Sequence, residues 1–174
     1  FQILEASGHM YTMRIIPRLI GCHPSNRDGY GINVQDCHSL ASDVLSIGFD
    51  HGEVKAVCCE VASDDSSVQD FNLQMVKNSQ GKLAPVDCAL KYATLWGGHT
   101  NQALRLIAYN MPSSDTRMTV GGRLSVEKLA DVDKIYADAV MLGVHWRVIS
   151  VEACKAFPQL ASLVQSAGNC AGQL

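Results

Sequence analysis

The sequence predicts an α+β domain built from a mixed sheet with flanking helices. Runs of apolar and β-branched residues alternate loosely with segments of helical period. Hydrophobic residues make up 47% of the chain and charged residues 18%, enough apolar matter for a core and too little charge for disorder. A length of 174 residues fits one ordinary domain.

Residues 1–9 show no clear period and read as an arm. Residues 10–20 read as a strand that Pro17 confines to an edge or interrupts with a bulge. A polar loop from Gly21 to Gly31 follows and holds His23, Asn26, Arg27, Asp28 and Tyr30. Asn33 then caps a helix, with Asp36 in its first turn. Val34, Cys37, Leu40, Ala41, Val44 and Leu45 form that helix's apolar face, and Gly48 ends it. Val54 to Val61 reads as a buried strand in which Cys58 and Cys59 point to opposite faces.

After an acidic, serine-rich loop at Ser63–Ser67, a shorter helix carries Val68, Phe71, Leu73, Met75 and Val76 and closes at Gly81. Residues 82–91 carry no clear signal. Tyr92 to Trp96 is a strand, which Gly97-Gly98-His99-Thr100 turns at once into a helix reaching about Asn110. Beyond a loop at Pro112–Asp115, Ser125 caps a helix with Val126, Leu129, Ala130, Tyr136 and Val140 on its face, ending at Gly143. Val144 to Ile149 is a strand. The tail is helical and split at Pro158, with Leu160, Leu163, Val164 and Ala167 inward and Gly168-Asn169 as its stop.

No apolar run approaches the roughly 20 residues that cross a bilayer. A net charge of −3 gives no global attraction to nucleic acid, so contact there requires a local basic patch. The seven cysteines, at 22, 37, 58, 59, 88, 154 and 170, are odd in number and scattered through apolar segments. That pattern suits buried thiols in an intracellular, reducing compartment better than a secreted disulfide framework. A start at Phe1 leaves open a processed precursor or a piece of a longer chain, and with it an organelle.

The strand-to-helix turn carries the most chemistry. Its first helical amides have no intrahelical acceptor, the helix dipole adds positive charge, and the glycines let a ligand approach. This is an anion site suited to phosphate, with an imidazole from His99 and a hydroxyl from Thr100 at the same end. Arg27 in the polar loop supplies a fork for phosphate or carboxylate. The plainer alternatives are a tight turn packed on a neighbour and a loop held by its own hydrogen bonds. Cys22-His23 and Cys37-His38 do not have zinc-site spacing, so no metal is expected. No nucleophile elbow, P-loop or dinucleotide fingerprint is present.

The order of these pieces resembles the ParB/sulfiredoxin-like superfamily over residues 10–110. The matching stretches are Arg18-Leu19-Ile20, His23 to Arg27, Leu40 to Gly48, Val54 to Val61, and Leu95-Trp96-Gly97-Gly98-His99-Thr100-Asn101-Gln102-Ala103. The resemblance implies one domain over 1–174 in which 111–174 is a helix-strand-helix extension, a helical C-terminal addition. It also implies a nucleotide, ATP or CTP with magnesium, held by Gly97, Gly98, His99, Thr100 and Asn101, with Arg27, His23 and Arg105 assisting. His99 occupies the position of the sulfiredoxin catalytic cysteine, so that repair reaction is not implied. The expectation is a ligand-binding module. The alternatives are a phosphoryl-transfer or nuclease-type enzyme using His99 or His23, and a structural subunit with a protein partner or a second copy.

Overall fold

The computed structural model describes residues 1–26, 32–48, 56–110, 119–120, 124–125, 141 and 143–172. It is an α+β fold: a five-stranded mixed sheet flanked by helices. The chain runs α1 (Gln2–Ala6), β1 (Met10–Ile15), a 3-10 turn at Pro17–Leu19, β2 (Ile20–Cys22), a 3-10 turn at Pro24–Asn26, α2 (Val34–Ile47) and β3 (Val57–Glu60). It continues through α3 (Ser67–Asn78), β4 (Tyr92–Trp96), α4 (Gly98–Asn110), β5 (Thr119–Val120), β6 (Leu124–Ser125), β7 (Val144–Ile149), α5 (Val151–Ala156) and α6 (Leu160–Gly172).

The sheet order is β1-β7-β3-β4-β2. β1 lies antiparallel to β7, with Met10 opposite Ile149 and Ile15 opposite Val144. β7 runs parallel to β3, β3 antiparallel to β4, and β4 parallel to β2 with Cys22 opposite Thr94. The last third of the chain therefore supplies an inner strand of the sheet, where the sequence reading set it apart as an addition. Pro17 splits the expected 10–20 strand in two, because it opens a 3-10 turn and cannot donate to a ladder. The two halves become opposite edges of the sheet.

One buried cluster joins Cys37, Ala41, Val44 and Leu45 of α2 and Ala103, Leu104 and Ile107 of α4 to Ile20, Cys58, Trp146 and Val148 of the sheet. The other face packs Val57, Cys59, Ala93, Leu95 and Ile149 against Val68 of α3, Ala153 of α5 and Val164 of α6. Cys58 and Cys59 fall in different clusters, as strand alternation requires. Asn33 caps α2 through its Oδ1, which accepts from the Asp36 amide at 3.1 Å.

Several expectations are corrected. Residues 2–6 form a helix rather than an irregular arm; five residues are too few to show a period. α6 runs through Gly168-Asn169 to Gly172. Its inner face uses Val164 and Gln165, while Leu163 is 65% exposed and Ala167 is also exposed. Leu73 of α3 is exposed as well, and Asn72 beside it is buried. Ser125 ends β6. The helix expected over 126–143 and the loop at 112–115 lie outside the described residues up to Met141. Among the described residues no helix is long and apolar enough to cross a membrane.

β2 would be a bare edge but for Asn72. Asn72 Oδ1 accepts from the Cys22 amide at 2.8 Å, and Nδ2 donates to Cys22 O at 2.9 Å and to Val68 O at 2.8 Å. One side chain thus replaces a neighbouring strand. It fits only because residue 21 is glycine: a Cβ there would lie 2.8 Å from Asn72 Cγ.

Candidate functional site

The parallel strands β2 and β4 end on the same edge of the sheet. Each is followed by a helix on the same face, α2 after the 23–33 loop and α4 directly. A crevice beyond the carboxyl ends of parallel strands is where α/β sheets hold ligands. The helix starts meet there: the Asn33 amide donates to His99 Nε2 at 3.0 Å. His99 is thus a neutral ring with its proton on Nδ1. Burial holds it below the ordinary histidine range, against a smaller pull from Asp36. The positive ends of two helix dipoles lie side by side, and Asp36 is the acidic group in the first turn of α2.

The two glycines are explained by the fold itself. Gly97 has φ +83°, the left-handed region that favours glycine. At Gly98 a Cβ would come 3.1 Å from Thr94 Oγ1 and 3.3 Å from Ile32 Cδ1. Neighbours within the chain itself therefore border the space that its missing side chain leaves. Leu95 and Trp96, just before the turn, pack in the opposite cluster, and Trp96 Nε1 donates to Val164 O at 2.6 Å.

What faces outward is backbone. The Asn101 amide returns to Gly97 O at 3.0 Å, and the amides of Gly98, His99 and Thr100 have no acceptor among the described residues. Thr100 is partly exposed. Beneath Gly98, Thr94 Oγ1 is fully buried and has no hydrogen-bond partner among the described residues. Gln102 Oε1 and Asn101 Oδ1 are likewise buried and unpartnered.

The remaining expected residues divide. Asn101 turns inward: it is 1% exposed and its Nδ2 donates to Ile20 O at 3.0 Å. Arg105 also serves the fold. It is 2% exposed, and its guanidinium donates to the carbonyls of Pro17, Arg18, Ile20 and Pro85 at 3.2, 3.0, 3.4 and 2.9 Å. These carbonyls gather the connection between the two sheet edges, and no phosphate contact remains for it. Arg27 lies outside the described residues.

His23 continues from β2, and its amide donates to Thr94 O at 3.3 Å. Its ring is held by Ser25, which in turn reaches the other layer. The Ser25 amide donates to Nδ1 at 3.1 Å, and Ser25 Oγ donates to Gln165 Oε1 of α6 at 2.6 Å. Burial lowers the His23 pKa, opposed by Asp65. His23 and His99 are therefore held by different sides of the molecule. Among the described residues no three His, Cys, Asp or Glu side chains gather as a metal site.

Residue-by-residue reading missed Thr94 and His38. The signal for Thr94 was its place two residues before the end of β4, on the face that α4 covers. His38 is 2% exposed and donates from Nε2 to Lys82 O at 2.6 Å.

No family model, curated protein or solved structure matches the chain.

Proposed function

We propose that this protein is a binding module holding a phosphorylated ligand, in the first instance a nucleotide, at the N-terminus of α4. The observation that carries the reading is the meeting of two helix starts through the Asn33–His99 hydrogen bond. An anion there takes up the amides of Gly98, His99 and Thr100 and offsets two aligned dipoles at once. The His99 Nδ1 proton and the Thr100 hydroxyl add donors, and the buried Thr94 hydroxyl beneath Gly98 is a further polar group without a hydrogen-bond partner among the described residues. The resemblance to the ParB/sulfiredoxin-like superfamily supports ATP or CTP with magnesium as the first ligands to try, with Arg27 as the candidate cation.

The test is thermal melting with a nucleotide panel and inorganic phosphate, each with and without magnesium. A ligand at a hundred times its Kd adds about 2.7 kcal/mol, or roughly 5–10 °C in a chain of this size. The shift should shrink in His99→Ala and Arg27→Ala. No shift with any member at millimolar concentration overturns the reading.

A further inference from the structure

A pair of cysteines on the far face of the sheet plays no part in the phosphate site. Cys59 leaves β3 toward the cluster formed with α5 and α6, where it is buried. Cys154 of α5 packs against the same cluster and is partly exposed.

Their meeting is fixed by bonds around the start of α5. The Val151 amide donates to Glu60 Oε1 at 2.8 Å, and the Ser150 amide to His9 O at 2.8 Å. Ser150 Oγ caps the helix by accepting from the Ala153 amide at 3.2 Å. α5 is thereby seated on the end of β3, with Cys154 three residues beyond the clamp at Val151 and Cys59 immediately before the clamp at Glu60. Both side chains belong to one packed cluster, in which the Cys59 S–H donates to Ala93 O at 3.7 Å. Both are free thiols.

We propose that Cys154 and Cys59 form a peroxide-reactive dithiol, with Cys154 as the attacking thiol and Cys59 as the resolving one. Exposure assigns the roles, since a hydroperoxide reaches Cys154 and not Cys59. The chemistry agrees. The neighbouring Cys59 thiol lowers the pKa of Cys154, against burial and the nearby Glu60, while Cys154 and burial push Cys59 up. Thiolate, not thiol, is the nucleophile.

In the first step the Cys154 thiolate attacks one peroxide oxygen. An S–O bond forms, the O–O bond breaks, and the leaving oxygen takes a proton and departs as water, or as an alcohol from an organic hydroperoxide. In the second step Cys59 sulfur attacks the Cys154 sulfenic acid. The S–S bond forms, the S–O bond breaks, and the hydroxyl leaves as water with the Cys59 proton. Two thiols lose two electrons, and the peroxide is the oxidant that accepts them.

Cys88 is the internal control. It too is partly exposed, but burial and the neighbouring Asp87 push its thiol up. The experiment treats the full chain with equimolar hydrogen peroxide, blocks remaining thiols and maps peptides without reductant. The expected first product is a Cys59–Cys154 cross-link. In Cys59→Ala, Cys154 should instead be trapped by dimedone as sulfenic acid, and in Cys154→Ala, Cys59 should stay reduced. Truncating a buried Cys59 can unfold the chain, so the native protein provides a second measurement. Cys154 should alkylate with iodoacetamide at least about threefold faster than Cys88 at neutral pH. Oxidation of Cys88 ahead of Cys154, a wild-type sulfenic acid without the cross-link, or equal alkylation rates overturn the proposal.

Discussion

Replacing Asn72 with leucine keeps most of the side-chain volume and removes every polar contact that Asn72 makes. The Cys22 amide loses its acceptor at 2.8 Å and the Cys22 carbonyl its donor at 2.9 Å. Cys22 is fully buried, so neither group gains a free replacement from solvent. Each buried group left unpaired costs about 1–3 kcal/mol. Val68 O retains its place in the ladder of α3 and adds little. The two groups together cost about 2–6 kcal/mol. In urea, with a slope of about 2 kcal/mol per molar, the midpoint should fall by roughly 1–3 M. Asn72→Asp gives the sign of the mechanism. It keeps an acceptor for the amide but sets a carboxylate against two carbonyls, so it should be worse than leucine at neutral pH and recover on acidification. A leucine variant within about 0.5 kcal/mol of wild type, or an aspartate variant insensitive to pH, would refute the view that this side chain completes the sheet.

Gly143→Ala should cost about 3 kcal/mol or more in the same assay, because φ is +87° and the new Cβ would sit 2.4 Å from Ile15 C. Thr94→Val should leave stability unchanged or slightly higher, since it removes a buried hydroxyl without a partner. The same variant should weaken any ligand-induced thermal shift, and a clear loss of stability in the free protein would show that the hydroxyl is already satisfied. Burial lowers the folded-state pKa of both His99 and His23. The unfolded chain therefore takes up protons first, so stability should fall as pH drops below about 6.5. Each ring contributes at most about 1.4 kcal/mol per pH unit, reduced by solvent screening at these half-buried sites. His99→Gln should flatten that slope, and equal slopes for wild type and variant would count against the assigned protonation state.

Local signals placed the elements that local physics decides. β4, the Gly97 turn and α4 were legible because a strand, a left-handed glycine and a helix follow one another without a gap. The Asn33 cap and the Cys37–Leu45 face of α2 were legible for the same reason. Strand order was not, since nothing local to Val144–Ile149 says that it lies between β1 and β3. The site was half legible. The turn and its free amides were foreseen, but the burial of Asn101 and Arg105 depends on carbonyls some 80 residues earlier in the chain. The distal end of α6 was misread because Gly168 marks a stop only when the next turn has nothing to continue on, and this helix continues past it.

The pairing of β1 with β7 has a consequence in time as well as in space. During synthesis β1 emerges long before residues 144–149, its partner among the described strands. Until then β3 also lacks one neighbour, so two strands expose unsatisfied ladders and apolar side chains. A sheet closed by so distant a segment forms late and slowly, and the nascent protein passes through an aggregation-prone interval. Shortened chains ending before Val144 should therefore bind holdase chaperones and precipitate, even though they keep α2, β4, α4 and the turn proposed to hold phosphate.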